Sequence, residues 1–290
     1  MDAKSLLFIG LGFMLVVYVA AVARGGWQTP TLLQSAIGLV TAFFDTLGIG
    51  SFATTTAAYK LRSLVPVKLI PGTLNVGHAP ATIAQAFIYT SIVPVDSKTL
   101  VLMIVAASMG AWFGAGVVVH WPRRKIQIGM GVALVAAAAL MLLQQLSLFP
   151  GGGLALELAG MRLALGLAGN FVLGALMMLG IGLYAPCMIL VSLLGMNPTA
   201  AFPIMMGSCA FLMPISSVQF VKSRTYHVQA ALGLALGGVP GVLIAAGVFW
   251  SLSLVAVRWL VIVVVIYTSM NMLLTARDES SRPERVAERT

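Results

Sequence analysis

Charged side chains are scarce in this chain. They make up 9% of its 290 residues, whereas hydrophobic residues make up 60%. Because a soluble domain carries roughly 25% charged residues, this composition excludes an ordinary water-soluble domain. Apolar stretches of about 20 residues, long enough to cross a bilayer as a helix, recur at Leu6–Ala23, Leu100–Val119 and Ala230–Trp250. The sequence therefore predicts an all-α, polytopic membrane protein in contact with a lipid bilayer.

The residue sets that carry enzyme chemistry are also missing. The two cysteines, Cys187 and Cys209, lie in apolar segments without metal-ligand spacing, so they indicate neither a disulfide framework nor a zinc site. The sequence contains no nucleotide-binding loop and no catalytic triad pattern. We therefore expect a protein that is not an enzyme and that uses no cofactor and no bound metal.

The positive net charge of +9 has a topological explanation. The basic residues lie in short connections between apolar stretches and in the C-terminal tail. This placement is typical of the signals that orient membrane proteins. We therefore expect no nucleic-acid partner.

A glycine signature is repeated along the chain. The run Leu47-Gly48-Ile49-Gly50 returns as Leu179-Gly180-Ile181-Gly182, a shift of 132 residues. Three further pairs keep the same shift: Ala53 and Ala185, Pro66 and Pro198, and Pro71 and Pro203. At an offset that differs by a few residues, Gly110-x-x-x-Gly114 is matched by Gly237-x-x-x-Gly241. Apolar segments interrupted by glycines at matching places favour a transporter built from two homologous repeats.

The repeat divides the chain into five parts. We predict an extra N-terminal transmembrane helix at 1–30, a first repeat at 31–147, a linker at 148–160, a second repeat at 161–275 and a solvated C-terminal tail at 276–290. The linker is predicted from Pro150 and its neighbouring glycines.

Two membrane topologies are compatible with the nine hydrophobic segments. If every segment crosses once, the basic residues divide into eight and nine on the two sides. If the glycine-interrupted segments 32–59 and 163–194 instead enter and return, the division is thirteen against four. The positive-inside rule favours the second arrangement. It predicts inverted repeats, an external N-terminus and a cytoplasmic C-terminus, and whether the two segments cross or re-enter stays open.

The interrupted segments are also the predicted substrate site. A half-helix that follows a break presents free N–H groups and a positive dipole end, which suit an anion. The substrate-binding candidates at the breaks are Gly48, Gly50, Ser51 and Thr54 in the first repeat, and Gly180, Gly182, Tyr184 and Cys187 in the second. The alternative is that the glycines only let helices pack closely.

Asp45 and His78 are the candidates for coupling transport to an ion gradient. Asp45 lies deep in an apolar segment, where a carboxylate is costly and often functional; Met177 stands at its position in the second repeat. Histidine titrates near neutral pH. Asn75, near His78, and Ser208, in the matching stretch of the second repeat, are further substrate candidates. Structural roles for Asp45 and His78 are the alternative.

The motifs resemble those of the sulfite exporter TauE/SafE family of membrane permeases. The resemblance spans most of residues 31–275, and its best segments are Leu179-Gly180-Ile181-Gly182-Leu183-Tyr184-Ala185-Pro186, Asn197-Pro198-Thr199-Ala200-Ala201, Lys222-Ser223-Arg224 and Gly237-Gly238-Val239-Pro240-Gly241. The chain departs from the family at both breaks, where Ser51-Phe52 and Leu183-Tyr184 replace a longer glycine run, and at Thr54, which stands in place of proline.

The resemblance implies export of sulfite, a sulfonate or a related small organic anion across the cytoplasmic membrane, by alternating access between two repeats. Two alternatives stay open. One is a proton- or cation-coupled carrier that uses Asp45 and His78, and the other is a membrane-embedded scaffold or enzyme. The expected partners are a small anionic substrate and the bilayer, and the formation of a homo-oligomer stays open.

Overall fold

A computed structural model describes residues 3–148, 152–180 and 182–248, and beyond these only 262–263, 266–267, 269–270 and 273–274. Most of these residues are helical, and none of them forms a β-strand, which confirms the predicted all-α class. The predicted tail 276–290, and much of the last hydrophobic segment, lie outside the described residues.

Ten α-helices are described. They are α1 (Ala3–Arg24), α2 (Leu32–Thr46), α3 (Ser51–Leu61), α4 (Ile70–Ile92), α5 (Ser97–Val118), α6 (Arg123–Gln145), α7 (Gly160–Met177), α8 (Tyr184–Leu193), α9 (Ala201–Lys222) and α10 (Val228–Val248). Short 3-10 helices at Val67–Leu69 and Pro198–Ala200 precede α4 and α9. Five helical stretches among the described residues are long and apolar enough to cross a membrane: Ser5–Arg24, Ser97–Val118, Gly160–Met177, Pro198–Lys222 and Val228–Gly247.

Glycine conformation explains why two hydrophobic segments are interrupted. Helix α2 starts at a capping box formed by Thr31 and Gln34 and ends before Gly48 and Gly50, whose φ angles are +86° and +88°. Between α7 and α8, Gly180 has a φ of +92°. Residues with a side chain rarely adopt such angles. Each of these segments is therefore two helices joined by a short non-helical break.

The Gly-x-x-x-Gly motifs bring pairs of helices into close contact. A Cβ atom added to Gly237 of α10 would collide with the Ser35 carbonyl oxygen of α2. A Cβ atom added to Gly110 of α5 would likewise collide with the Phe171 carbonyl oxygen of α7, and one at Gly114 would lie 2.6 Å from a carbonyl oxygen of the same helix. Small residues commonly allow backbones to approach in this way inside bilayers. Helix α2 thus packs along α10, and α7 packs along α5.

Helices α4 and α9 cross at the centre of the bundle. Each contains an internal proline, Pro80 or Pro214, and most of their side chains are buried. The Thr82 hydroxyl of α4 lies 3.3 Å from the Met213 sulfur of α9. This central pair is the support against which both interrupted segments pack.

Hydrogen bonds identify which helix ends lie together. The His227 amide, just before α10, donates to Thr73 Oγ1 in the first turn of α4 at 2.9 Å, and Gln229 Nε2 donates to the Thr29 carbonyl before α2 at 3.0 Å. Helices α2, α4 and α10 therefore begin at one end of the bundle. We call it the basic end, because the connections there carry Arg24, Lys60, Arg62, Lys68, Lys222 and Arg224. At the opposite end, where α5 and α7 begin, the Leu158 amide donates to Thr99 Oγ1.

Candidate functional site

Both glycine breaks contribute to one small cavity. Its volume is about 10 Å³, which is room for about one water molecule. It is lined by Asp45, Gly50, Ser51, Phe52, Thr82, Met177, Gly182, Leu183, Tyr184, Cys209 and Met213. These residues come from α2, α3, α4, α7, α8, α9 and the breaks. Two segments that lie far apart in the sequence therefore meet at one cavity.

Asp45 occupies the N-terminus of α3. Its side chain is 4% exposed. One carboxylate oxygen accepts a hydrogen bond from the Ser51 amide at 2.5 Å, and the other accepts from Gln85 Nε2 at 3.0 Å. A helix N-terminus carries a partial positive charge that favours an anion. In α3 that position is filled by the carboxylate of the chain itself.

Tyr184 links the second break to the first. Its hydroxyl lies 2.7 Å from Gln85 Oε1 and 3.2 Å from an Asp45 carboxylate oxygen. A tyrosine hydroxyl has one proton, so it donates to one of these acceptors at a time. Gln85 Nε2 also lies 2.9 Å from Thr46 Oγ1, and the Tyr89 hydroxyl donates to the Thr46 carbonyl at 2.7 Å. This buried network joins α2, α4 and α8.

Helix α8 has no carboxylate at the position that Asp45 holds before α3, because Met177 stands there. Its first residue, Tyr184, and the preceding Gly182 and Leu183 line the cavity. A Cβ atom added to Gly182 would meet no atom within 4 Å. The second break therefore presents the start of a helix to the cavity, with a methionine in place of the carboxylate that accepts from the first amide of α3.

Five of the predicted site residues line the cavity together: Asp45, Gly50, Ser51, Gly182 and Tyr184. Four others from the breaks do not. Gly48 and Gly180 shape the backbone, and the Thr54 hydroxyl donates within its own helix to the Ser51 carbonyl at 2.9 Å. Cys187 is buried in α8.

The remaining predicted residues do not line the cavity, and each has hydrogen-bond partners of its own. His78 Nε2 lies 3.0 Å from Thr55 Oγ1 of α3, and both side chains are buried. Asn75 Nδ2 donates to the Pro71 carbonyl at 2.9 Å. Ser208 Oγ accepts from Asn170 Nδ2 at 3.2 Å. His78 and Asp45 therefore have separate partners.

Sequence reasoning missed Gln85, the residue that holds both Asp45 and Tyr184. A signal was available, because Gln85 is a polar amide in an apolar segment and follows His78 by two helical turns, which places both on the same face. Thr82, Cys209 and Met213 were missed as cavity-lining residues, and their types alone carry no such signal.

A metal site finds no support in the described part of the chain, where no three His, Cys, Asp or Glu side chains are close enough to hold an ion. Comparison of the sequence and structure with family models, curated proteins and solved structures finds no match. The function must therefore be argued from the cavity and from the sequence motifs.

Proposed function

We propose that this chain is a multi-pass transporter that moves a small anion across the cytoplasmic membrane. The observation that carries the proposal is that both glycine breaks line the same cavity. Transporters built from repeats bind substrate between interrupted helices of the two halves. The substrate class, sulfite, a sulfonate or a related organic anion, comes from the resemblance of the motifs to the TauE/SafE permeases.

Inverted repeats are supported by the order and the ends of the helices. In each half an interrupted helix is followed by a 3-10 helix, a proline-containing helix and a further long helix. Helix α2 begins at the basic end and α3 leads back to it, since α4 also begins there. Helix α7 begins at the opposite end, and α8 leads back to it, where the Asn197 amide bonds the Ala155 carbonyl at 2.8 Å. The two interrupted segments thus enter from opposite ends, as in re-entrant inverted repeats.

The two breaks have different tasks in the proposed mechanism. The substrate anion binds at the N-terminus of α8, where the helix dipole attracts it and the Tyr184 hydroxyl donates a hydrogen bond. An ionised Asp45 would repel this anion, and a protonated Asp45 would not. Each anion is therefore accompanied by a proton on Asp45. Rocking of one repeat against the other enlarges the cavity and opens it to either side in turn.

Asp45 and His78 receive separate roles in this proposal. A cation carrier that uses them as joint ligands finds no support in the hydrogen bonds, because Asp45 bonds Ser51 and Gln85 while His78 bonds Thr55. Proton coupling is retained through Asp45 alone. We propose no enzymatic step.

Flux into proteoliposomes tests the proposal. We expect saturable sulfite uptake by the purified protein that is faster with an inward proton gradient and is inhibited by short sulfonates. Empty liposomes give the baseline. Uptake no faster than this baseline for every sulfur oxyanion would overturn the substrate assignment, and uptake that ignores the proton gradient would overturn coupling through Asp45.

A further inference from the structure

A second polar cavity lies at the basic end, away from the glycine breaks. Its volume is about 360 Å³. It is lined by Arg24, Gly25, Val221, Arg224, Tyr226 and Val228. Arg24 is the last residue of α1, and Arg224 and Tyr226 belong to the connection between α9 and α10. The lining therefore contains two guanidinium groups and no carboxylate.

The Tyr226 hydroxyl is buried and has no hydrogen-bond partner among the described residues. The residue is 6% exposed. A buried polar group without a partner is unfavourable, and native structures contain few of them. Burial raises the pKa of Tyr226, so the hydroxyl keeps its proton at neutral pH and is available as a donor.

The lack of a side chain at Gly25 leaves space for the Tyr226 hydroxyl. A Cβ atom added to Gly25 would collide with the Tyr226 hydroxyl oxygen. The end of α1 therefore covers the hydroxyl without bonding it, and the donor lies without a described partner in a residue that lines the cavity.

Arg224 is held in a backbone conformation that favours glycine. Its φ is +55°, and it occupies the position after the cap of α9, where its amide bonds the Val221 carbonyl and the Thr225 amide bonds the Phe220 carbonyl. Helices that end in this way usually have glycine at that position. An arginine there places a guanidinium group at the cavity at a conformational cost.

We propose that Arg24, Arg224 and Tyr226 form a binding site for a phosphate group, supplied either by an anionic lipid headgroup or by free inorganic phosphate. Guanidinium groups bind phosphate oxygens in pairs of hydrogen bonds, and the tyrosine hydroxyl supplies a further donor. The bound group would tie α1, which lies outside the predicted repeats, to the connection between α9 and α10. This site is separate from the transport cavity, and it stands whether or not the chain carries sulfite.

Ligand-dependent thermal unfolding of the full-length purified protein tests the site. One arm titrates inorganic phosphate into lipid-stripped protein in detergent, with chloride at matched ionic strength as the control. The other arm compares nanodiscs of phosphatidylcholine with nanodiscs that also contain phosphatidylglycerol. Stabilisation by phosphate identifies a free anion as the ligand, and stabilisation by phosphatidylglycerol alone identifies a lipid headgroup. No stabilisation in either arm overturns the proposal.

Variants separate the site from general charge effects. The double variant Arg24→Gln with Arg224→Gln should lower the affinity for the stabilising ligand by about tenfold or more, because a hydrogen bond to a charged group contributes about this factor. Arg62→Gln with Lys68→Gln removes two charges from the same end outside the cavity and should leave affinity unchanged. Tyr226→Phe should unfold no earlier than wild type without ligand, yet bind the ligand more weakly. An equal loss in the two double variants would contradict the site.

Discussion

The first and second glycine breaks differ in backbone and in side chains. Helix α3 begins directly after Gly50, whereas α8 begins two residues after Gly182. Asp45 accepts a hydrogen bond from the first amide of α3, and Met177 stands at the equivalent position before α8. In α3 the Thr55 hydroxyl bonds His78, while the equivalent residue in α8 is the buried Cys187. Both breaks nevertheless line the same cavity.

In our proposal, this difference lets the two halves of a repeated framework serve two purposes. The glycines place two half-helix N-termini at one cavity, which needs backbone geometry alone. The side chains then distinguish the two N-termini. In our proposal the first break holds a proton on Asp45, and the second holds the anion next to Tyr184.

The largest effects are expected where the framework itself is disturbed. Gly110→Ala and Gly237→Ala should each lower the free energy of unfolding by about 1–3 kcal/mol, the usual cost of overpacking, because each new methyl group collides with a carbonyl oxygen of the facing helix. Thermal unfolding in detergent measures the loss. Gly12→Ala is the matched control, since its Cβ meets no atom within 4 Å. If one motif tolerated alanine and the other did not, the two helix pairs would not be equivalent.

Gly182→Leu should abolish anion flux while the protein still inserts and folds. The Cβ position at Gly182 is open, so the new side chain starts without a backbone collision, and its branched end fills and blocks the small cavity. Gly50→Leu should also abolish flux, but there the φ of +88° adds strain, which makes it the less specific test. Flux in proteoliposomes is the measurement, with Gly12→Leu as control. Normal flux in a well-folded Gly182→Leu protein would show that this glycine serves helix packing and not substrate binding.

Asp45→Asn should change the pH dependence of flux more than the affinity for the anion. The amide keeps the shape of the carboxyl group and can still accept from the Ser51 amide, but it cannot carry a proton. Flux measured across a pH series should therefore become nearly flat. Met177→Leu, at the equivalent position of the other break, should keep the wild-type profile. A strong change in affinity with an unchanged profile would make Asp45 a substrate contact.

Tyr184→Phe should have a moderate effect. It removes the hydroxyl that bonds Gln85 and Asp45 and retains the ring. One hydrogen bond contributes about 1 kcal/mol, so anion affinity should fall by about fivefold. Tyr89→Phe removes a neighbouring hydroxyl that bonds the Thr46 carbonyl and does not line the cavity, so it should leave affinity unchanged. Equal losses in both variants would argue against a direct contact by Tyr184.

The smallest effect on transport is expected at His78. Its bond to Thr55 joins α4 to α3, so His78→Gln and Thr55→Val should each cost about 1 kcal/mol of stability. The pH profile of flux should stay that of wild type in both. A flattened profile in His78→Gln alone would restore His78 as a coupling residue.

Local features of the fold and the site could be predicted from the sequence. The interruptions at Gly48, Gly50 and Gly180 were predictable because few other residues adopt a positive φ. Asp45 was identifiable because a carboxylate in an apolar membrane segment is energetically costly and often has a function. The Gly-x-x-x-Gly motifs were recognised as repeated elements, although their role in helix contact became clear only from the facing carbonyl oxygens.

Contacts between distant segments could not be predicted. The bond between Tyr184 and Asp45 joins residues 139 positions apart, and no periodicity in one sequence specifies such a pairing. The partner of His78 was hidden for the same reason, since a polar residue near a helix kink can face any neighbouring helix. The cavity likewise depends on how six helices and the two breaks pack together.

The most direct test of the central claim is a structure of the protein in nanodiscs, determined by electron cryomicroscopy in the presence of a saturating sulfonate. We predict density for the anion between the two breaks, in contact with the first turn of α8 and the Tyr184 hydroxyl, with the cavity enlarged around it. Density only at the basic end, or none near either break, would contradict the claim that the two breaks form one anion site.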